Sequence, residues 1–530
     1  MKQKILVGGA WPYANGSLHI GHIAGLLPGD VIARYHRAIG NDVYYVSGSD
    51  CHGTPVTIRA RQEDKTPGEI SDSYHEEFCR CFEWLGFSYD LYGKTSEELH
   101  RDFVREFHEK LYTSEYVYEK SSPQSFCSHC GQFLPDRYVE GICPVCKKEA
   151  RGDQCDSCGT VLDTEHLLEP KCMLCGNTPE FRESKHLYLR VTGLKEQLEQ
   201  LVHSHPNWRK NAVQLTKRYL SEGLRDRALT RDLDWGIGVP YPGYEGKKIY
   251  IWAENVLGYL SMSKEAARVK GEDFKALWGK GARHYYIHAK DNIPFHTIIL
   301  SSLLIAQGDD YHLPDEIISN EYLTLDGRKI STSKNHAIWV KDIIGKYNPD
   351  AIRYFMIANG PEKRDTDFSL YEFAKSCNSE LAGAYGNFVN RTLVFLHKYY
   401  GGRVTKGNLD KVIEEKMKES FIIAGNLIEG GELKEALEKI FELVRFSNKY
   451  FDSKAPWLTR TENNSECEDT LYNCVQLIAN LGVLLAPFLP FSSEKILEWL
   501  KLKSTWEIQY VLSGFQLPES EILFMRIENS

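Results

Sequence analysis

Cysteine spacing is the feature that most restricts how this chain can fold. Eight of its 14 cysteines form four Cys-x-x-Cys pairs in one short segment: Cys127/Cys130, Cys143/Cys146, Cys155/Cys158 and Cys172/Cys175. Each pair can place two thiolates on one metal ion, and two pairs complete a tetrahedral zinc site. Redox pairs and disulfides are the alternatives, but redox pairs rarely occur as four in so short a stretch. The spacing therefore predicts a module with two structural Zn2+ ions in a reduced, cytoplasmic protein, without deciding which pairs combine.

Length and charge set broader limits. The chain has 530 residues, enough for two to four domains with well-packed cores. Its formal net charge of -9 is mild evidence against a nucleic-acid partner, although local patches rather than the sum determine such attraction. No secretory signal is visible. The most apolar stretch, 475–488, is interrupted by Asn480 and Pro487 and is too short to span a bilayer. We therefore expect a buried helix there and no membrane partner.

The first part of the chain has the pattern of a parallel sheet. Up to about residue 115, short apolar runs at 5–7 and 43–46 flank a helical pattern near 22–39. This strand–helix–strand rhythm is typical of α/β domains.

The rest of the chain changes character twice. Residues 120–185 are rich in Cys, Gly, Pro and charge, and sheet-like runs then return at 248–252 and 284–288. The cysteine module is therefore predicted to be an insertion into one α/β domain. From about residue 371 the apolar spacing is helical, as in 433–451, and predicts a helical bundle.

A histidine-rich turn, residues 11–22, connects the first predicted strand to the first predicted helix. This junction brings backbone N–H groups and the positive end of a helix dipole together, which suits phosphate. His19 and His22 share a helix face and can donate to developing negative charge. Gly16 and Gly21 leave room for a flat base or a phosphate. A lone His-x-x-His is more often a core or surface feature, but the whole string in this context indicates a nucleotide site.

A second candidate is the lysine loop, residues 326–334, with the sequence Asp-Gly-Arg-Lys-Ile-Ser-Thr-Ser-Lys. Gly and Ser make it flexible, and its cations would suit a triphosphate. Taken alone, such a segment is more often a solvated basic turn.

Together, the two motifs resemble those of class I aminoacyl-tRNA synthetases. The string 19–22, His-Ile-Gly-His, resembles the HIGH signature, and 329–333 resembles the KMSKS loop, with Ile330 replacing Met and Thr332 replacing the second Lys. Lys334 and Arg328 are the candidates to supply the positive charge that is lost where Thr332 replaces Lys. Similar His-x-Gly-His turns occur in small nucleotidyltransferases such as pantothenate synthetase, so HIGH alone indicates only the superfamily. The resemblance implies ATP binding, with Mg2+, and catalysis by His19, His22 and Lys329. The implied ATP-binding residues are Tyr13, Asn15, Gly16, His19, Gly21, His22, Lys329, Ser331, Thr332 and Ser333.

Three further strings resemble the methionyl branch of this class: 50–55, 230–236 and 251–259. The resemblance implies that Asp50 binds the substrate ammonium. It also implies that an aromatic wall encloses the polarisable thioether, although Trp252 and Tyr259 could equally be core aromatics. The implied substrate-binding residues are Trp11, Asp50, Trp252, Tyr259, Asp291 and His296. Trp11 stands where an aliphatic residue is more common, and Leu300 where an aromatic is common.

The insertion also resembles the methionyl branch. Its knuckle strings, 141–146 and 153–159, imply that the inner two cysteine pairs share one zinc and the outer two share the other. Leucyl, isoleucyl and valyl enzymes carry a large editing domain, for which this cysteine-rich insertion is too short.

The helical end resembles an anticodon-binding domain. Asn378, Asn387 and Arg391 lie on one predicted helix, and 455–458, Ala-Pro-Trp-Leu, follows later. Asn387, Arg391 and Trp457 are the implied anticodon residues, because Asn and Arg can read base edges and Trp can stack on an unpaired base. Gly383 replaces an Asn often found there. A helix face with a core Trp is the alternative.

These observations and the resemblance imply an α/β Rossmann-like catalytic domain with an inserted zinc-knuckle domain, followed by an all-α anticodon-binding bundle. The implied activity is ATP-dependent attachment of L-methionine to tRNA(Met) through methionyl adenylate, by a monomer, since no C-terminal dimerisation module is visible. The alternatives are another class I ligase or nucleotidyltransferase and a non-catalytic zinc RNA-binding paralogue. The expected segments are 1–116 and 231–325 for the catalytic domain, 117–230 for the insertion, 326–370 for the lysine loop and stem-contact region, and 371–530 for the bundle.

Overall fold

A computed structural model describes residues 2–135, 138–152, 155, 157–158, 160, 162, 164–330, 336–519 and 521–528. Strands β1 to β17 are, in chain order, Lys4–Gly9, Asp42–Ser49, Leu91–Lys94, Val117–Cys127, Gln132–Phe133, Val139–Ile142, Glu149–Arg151, Leu168–Cys172, Glu180–Leu189, Arg227–Ala228, Thr230–Arg231, Lys248–Ile249, Arg283–Ala289, Glu316–Asn320, Leu323–Leu325, Arg328–Lys329 and Thr366–Phe368.

Helices α1 to α18 are, in the same order, Ile20–Ala38, Thr54–Gln62, Pro67–Trp84, Glu98–Leu111, Lys195–Ser204, Lys210–Glu222, Gly258–Lys270, Phe274–Leu277, Ser301–Gln307, Val340–Ile343, Pro349–Ala358, Leu370–Cys377, Asn387–Tyr400, Lys411–Glu429, Leu433–Lys454, Pro456–Glu462, Asn464–Leu485 and Pro490–Leu500. Short 3-10 turns occur at Thr164–His166, Val191–Leu194, Ile251–Ala253, Asn255–Leu257 and Lys290–Asn292, and π-helical segments at Phe295–Leu300 and Asn378–Gly386.

The central element is a five-stranded parallel sheet in the order β14-β13-β1-β2-β3. In its middle, Val7 of β1 lies level with Tyr45 of β2 and Tyr285 of β13. Alternate residues of each strand enter two different cores: Val7 packs in one and Leu6 in the other. Both faces are covered, which explains why these strands are apolar runs without a polar face.

The cysteine module leaves this sheet after α4 and the chain returns to it at β13. Its main support is the long antiparallel pair β4–β9, extended by β10 and β5. In a smaller sheet, β7-β6-β8, strand β6 ends immediately before Cys143 of the inner pairs and β8 ends at Cys172 of the outer pairs. The predicted insertion into one α/β domain is confirmed by this order of strands.

One predicted strand was too long. The run 248–252 forms a strand only over Lys248–Ile249, which pairs with Thr230–Arg231. Tyr250 N–H still donates to the Leu229 carbonyl at 2.8 Å, but the chain then turns into the 3-10 segment Ile251–Ala253. Trp252 therefore lies on a turn rather than on a strand, because no partner strand continues beyond Ile249.

Beyond β17 the chain is helical, as predicted. Helices α12 and α13 run on through the π-helical segment Asn378–Gly386, and α14, α15 and α17 pack together behind them. The apolar stretch ending near Phe488 belongs mainly to α17, a buried helix in which the Asn480 amide donates to the Gln509 carbonyl at 2.9 Å. Among the described helices, none combines the length and apolar character that crossing a bilayer requires.

A fully buried ion pair joins the helical part to α1, which packs on the parallel sheet. Arg353 of α11 donates to Asp30 of α1 at 2.6 Å and to the Leu85 carbonyl at 3.1 Å. It also donates to the carbonyls of Pro487 and Phe488, between α17 and α18, at 3.0 and 2.8 Å. The Arg34 and Arg353 charges, with hydrogen bonds from Ser88, overcome the effect of burial and lower the pKa of Asp30 to about 2.

Replacing Arg353 should destabilise the protein strongly. Arg353→Met would remove the fully buried cation that pairs with Asp30, leaving only Arg34 and Ser88 on that carboxylate, and would deprive three carbonyls of this donor. Breaking such a buried pair typically costs about 3–5 kcal/mol. The matched control is Arg218→Met, because Arg218 pairs with Glu222 on the surface, where such a pair is worth about 0–1 kcal/mol. Urea unfolding followed by circular dichroism measures both. Equal midpoints for the two variants would contradict this role of Arg353.

Candidate active site and metal centres

The histidine turn is organised by reciprocal hydrogen bonds at the start of α1. His19 is the N-cap residue, and its Nδ1 accepts from Gly21 N–H at 3.1 Å. His22 Nδ1 accepts from His19 N–H, also at 3.1 Å. The two rings stack with centroids 3.8 Å apart. This capping box fixes both imidazoles before any ligand binds.

Both imidazoles are neutral at physiological pH. Burial, reinforced by the neighbouring His22, lowers the pKa of His19 to about 2, and burial lowers the pKa of His22 to about 4. Because each Nδ1 accepts a backbone hydrogen bond, each proton must lie on Nε2. The turn therefore offers two neutral Nε2–H groups that donate hydrogen bonds without giving up their protons, which suits a phosphate oxygen.

Steric contacts give different reasons for the two glycines of the histidine turn, Gly21 and Gly16. A side-chain carbon on Gly21 would lie 2.9 Å from His19 Nδ1 and 3.3 Å from Ile330 Cδ1. At Gly16 a side-chain carbon would meet no atom within 4 Å, so this glycine borders open space. Gly21 is thus needed by the protein itself, whereas Gly16 leaves room for a ligand.

The same turn is joined to Asp50 through the backbone. Ala14 N–H donates to the Asp50 carbonyl, and Asp50 N–H to the Pro12 carbonyl, both at 2.9 Å. Tyr13 forms the bridge with Asp50 and packs on Gly53, where a side-chain carbon would lie 2.5 Å from its ring. Asn15 follows in the same half-buried turn. The predicted ATP and amino-acid residues thus meet at the carboxyl ends of β1 and β2.

Asp50 is fully buried at the end of β2. Its Oδ2 accepts from the Asn255 amide at 3.0 Å, and its Oδ1 from His52 N–H at 3.4 Å. Burial, with the nearby Glu254 charge, raises the pKa of Asp50 to about 7. Such a carboxylate gains much from a cationic partner, because its charge is poorly solvated.

A small cavity of about 50 Å³ lies between these strands and the segments that follow β12 and β13. Tyr259 O–H donates to His296 Nε2 at 2.9 Å, since His296 Nδ1–H is used by the Asn292 carbonyl. Burial lowers the pKa of His296 to about 4, so it is neutral. Asp291 lies on the turn Lys290–Asn292 and does not line the cavity. The lining residues are Ala10, Trp11, Tyr13, Trp252, Asn255, Val256, Tyr259, Asn292, Phe295 and His296.

Trp11 lines this cavity because two glycines admit its indole. A side-chain carbon at Gly48 of β2 or at Gly258 of α7 would overlap the Trp11 ring. The ring also meets Tyr259 edge-on, with centroids 6.5 Å apart. Neither glycine was singled out from the sequence, because a packing contact between distant segments leaves no local pattern.

Sequence reasoning also missed Asn255, Asn292 and Phe295. Asn255 lies inside the string 251–259, and Phe295 precedes His296, so proximity to a quoted motif was the available signal. The π-helical segment Phe295–Leu300 turns both Phe295 and His296 towards the cavity.

The segment that follows the lysine loop is hydrogen-bonded to the histidine turn. Within the loop, Lys329 is exposed on β16, with its Nζ 5.6 Å from the Tyr322 ring centre, and its charge acts on Asp291. After it, Ile20 N–H donates to the Ile338 carbonyl at 3.0 Å, and Val340 N–H to the Leu18 carbonyl at 2.8 Å. Ser331, Thr332 and Ser333 lie outside the described residues.

The eight paired cysteines gather into two groups. One comprises Cys127, Cys130, Cys172 and Cys175, and the other Cys143, Cys146, Cys155 and Cys158; in each, all sulfurs lie within 4.8 Å of one another.

These are the groups that the nested arrangement implied. Sγ–Sγ distances of 3.5 Å for Cys127–Cys175 and 3.8 Å for Cys143–Cys158 fit a tetrahedral zinc with Zn–S near 2.3 Å, which requires about 3.8 Å. All eight cysteines are free thiols rather than disulfides. Both sets of donors therefore suit a closed, four-thiolate Zn2+ site.

The three implied anticodon residues are close together on the helical domain. Arg391 of α13 donates to Asp452 at 2.8 Å, and its guanidinium lies 6.0 Å from the Trp457 ring centre. Trp457 of α16 is 46% exposed, so it is not a core residue. Asn387 is half-buried one turn before Arg391. Asn378, by contrast, has its amide bound to the Ile527 backbone at 2.8 Å.

Comparisons with known proteins agree along the whole chain. A family model described as tRNA synthetases class I (M) matches residues 5–393, and one described as the anticodon-binding domain of tRNA ligase matches 410–524. Methionine--tRNA ligase of Bacillus mycoides (strain KBAB4) is 54% identical over 528 residues, 99% of this chain and 97% of that protein. Methionine--tRNA ligase 1 of Alkaliphilus oremlandii (strain OhILAs) is 52% identical over 527 residues, with the same coverage.

The fold itself matches a solved structure. Mycobacterium tuberculosis methionyl-tRNA synthetase in complex with methionyl-adenylate aligns with a TM-score of 0.83, covering 99% of this chain and 100% of that one. The sequence identity is 22%, so this likeness concerns the fold.

Metal content should follow the two cysteine groups. Purified protein washed with chelator should retain about two equivalents of zinc, because closed four-thiolate sites bind tightly. Replacing Cys143 and Cys146 by Ser should remove one equivalent, and replacing Cys155 and Cys158 as well should remove no more. Cys79→Ser, outside both groups, is the control and should retain both. If replacing Cys127 in the first variant removed no further zinc, the nested grouping would be wrong.

Proposed function

Since the chain belongs to the methionine--tRNA ligase family of class I tRNA synthetases, we propose that it joins L-methionine to tRNA(Met) at the expense of ATP. The observation that carries this proposal is the 54% identity to a methionine--tRNA ligase over 99% of the chain. The site supports it, because neutral imidazole donors, a buried carboxylate and an aromatic cavity meet at one edge of the sheet.

The first step activates the amino acid. A methionine carboxylate oxygen attacks the α-phosphorus of ATP, the bond to the bridging oxygen breaks, and pyrophosphate leaves. The Nε2–H groups of His19 and His22 donate to the phosphate oxygens as charge moves onto them, and Lys329 neutralises the leaving pyrophosphate. Mg2+ bound with ATP supplies further charge neutralisation. The other proposed ATP-binding residues are Tyr13, Asn15, Gly16, Gly21, Ser331, Thr332 and Ser333.

Asp50 holds the methionine ammonium while the cavity takes the side chain. The Asp50 carboxylate is buried and gains a full charge partner when the ammonium binds. Trp11, Trp252 and Tyr259 offer aromatic surface to the thioether, whose polarisable sulfur packs well on rings. Because Asp50 lies at the end of β2 and the histidine turn follows β1, the methionine carboxylate is held near the phosphates of ATP, so positioning supplies much of the rate.

In the second step a hydroxyl of the terminal tRNA ribose attacks the methionyl carbonyl, and AMP leaves. Recognition of tRNA is assigned to Asn387, Arg391 and Trp457 on the helical domain. The chain carries a net charge of -9, so general attraction to phosphate contributes little discrimination and specific base contacts must supply it. The two four-thiolate groups are assigned structural zinc, since neither leaves a position for substrate.

Amino-acid choice is tested by ATP–pyrophosphate exchange with each of the 20 amino acids. Methionine should support exchange far above the others, because the aromatic cavity selects a thioether. His22→Asn should lower the rate of that exchange by a factor of about 10²–10³, the usual cost of losing one charge-stabilising donor. Exchange due to a contaminating enzyme would not change with this substitution. A preference for leucine or isoleucine would overturn the assignment of the cavity around Trp11. No exchange with any amino acid would remove the proposed function.

Trp457→Ala should separate the two steps. Stacking of an unpaired base on an indole is worth about 1–3 kcal/mol, or roughly ten- to a hundredfold in tRNA binding. Aminoacylation of tRNA should therefore fall by that factor, whereas methionine-dependent exchange should persist because it needs no anticodon. Leu458→Ala is the control, since Leu458 is an exposed neighbour without a ring. Equal losses in both reactions, or a lowered melting temperature, would remove Trp457 from the anticodon site.

A further inference from the structure

The string 50–55 contains a histidine that the proposed reaction does not use. His52 is 6% exposed, and its Nδ1 lies 2.5 Å from Oε1 of Glu254, which has no exposed surface. Trp235 covers the imidazole edge-on at 5.3 Å, and its indole N–H donates to the Cys51 carbonyl at 2.7 Å. A buried carboxylate is stable only with a partner, and an imidazolium that donates to it forms a charge-assisted hydrogen bond, which is stronger than a neutral one.

This pair is attached to Asp50 on both sides. The backbone N–H of His52 donates to Asp50 Oδ1 at 3.4 Å. Asn255, which follows Glu254, donates through its amide to Asp50 Oδ2 at 3.0 Å. Asp50 is therefore held by the backbone of one member of the pair and by the neighbour of the other.

The arrangement places two buried carboxylates near each other. Two like charges in one site hinder each other's ionisation, so Glu254 alone would favour a protonated Asp50. A protonated carboxyl cannot pair with an ammonium. Glu254 Oε2 makes no hydrogen bond to the described residues, so its charge is not dispersed on that side.

The other titratable groups around the pair do not compensate for it. His100 of α4 has its Nε2 3.9 Å from Glu254 Oε1, but burial lowers its pKa to about 3, so it is neutral. Arg101 of α4 acts on His52 and opposes its protonation. Despite burial, the Glu254 and Asp50 charges raise the pKa of His52. Among these described groups, the His52 imidazolium is thus the cation that faces both carboxylates.

We propose that His52 and Glu254 form a permanent ion pair whose imidazolium favours the ionised form of Asp50 and helps to place it for the substrate ammonium. This inference rests on the proposed function. His52 is a positioning residue, because it touches Asp50 rather than methionine. The sequence separation of 202 residues between the partners means that folding assembles the pair.

The test is the pH dependence of the methionine KM in ATP–pyrophosphate exchange. His52→Gln keeps a hydrogen-bond donor for Glu254 but removes the positive charge. The remaining Glu254 charge raises the pKa of Asp50, so ammonium binding is lost as pH falls through that raised pKa. The ratio of variant to wild-type KM should approach one at high pH and grow by about tenfold for each pH unit between the raised pKa and the lower pKa of Asp50 in the wild type. Below the wild-type pKa the ratio should level off, with kcat nearly unchanged. Taking the ratio cancels the titration of methionine itself.

Two further variants identify the charge as the cause. Glu254→Gln removes the opposing carboxylate, so its KM ratio should show no rise at low pH. The double variant His52→Gln/Glu254→Gln should regain the wild-type pH profile. His108→Gln is the control for loss of a buried histidine, because His108 binds the Ala253 carbonyl at 2.8 Å and does not touch Asp50.

The outcomes are distinct. A pH-independent rise in KM for His52→Gln, a loss confined to kcat, or a double variant no better than the single one would overturn the proposal. The proposal would also be overturned if His108→Gln lowered the melting temperature as much as His52→Gln and showed the same pH profile of KM. Absence of methionine-dependent exchange in the wild-type protein would instead reject the proposed function, so the two failures cannot be confused.

Discussion

The position of β1 between β2 and β13 is the constraint on which the rest of the site depends. In a parallel sheet all carboxyl ends meet at one edge, and a ligand there can be reached from several strands at once. The histidine turn follows β1, Asp50 follows β2, and His296 follows β13. The segment that follows the lysine loop bonds to the histidine turn and so brings this part of the chain to the same edge. Residues hundreds of positions apart are therefore neighbours because three strands pair in this order.

Buried charges then fix how the other parts join this sheet. Arg353 and Asp30 connect α11, α1 and the turn before α18, while His52 and Glu254 connect the end of β2 to the segment before α7. Each pair is buried, so a group that loses its partner is not hydrated by water instead. Breaking such a pair therefore costs much more than breaking a surface pair. The cysteine module is stabilised differently. It has a small core and is built around two groups of thiolates whose geometry suits metal ions.

Much of this could be predicted from the sequence, for physical reasons that differ between elements. Strand–turn–helix junctions and Cys-x-x-Cys turns are local, so residues near each other in the chain already imply their geometry. The parallel order of the core and the inserted position of the cysteine module followed from apolar rhythm. The run 248–252 was overestimated because strand length depends on a partner strand, and the antiparallel partner begins only at Thr230, which lies opposite Ile249. The fit of Trp11 against Gly48 and Gly258 was not foreseeable, since such packing has no periodic signal.

By itself the sequence determined the α/β class, the metal-ligand chemistry of the eight paired cysteines, the histidine turn and the helical end. These properties reside in short strings whose side chains interact across one turn of backbone. Only the tertiary structure decided that Asn255 binds Asp50, that Asn378 binds the C-terminal segment instead of facing Arg391, and that His52 meets Glu254. Those contacts join distant segments, and burial away from water is what makes them strong enough to matter.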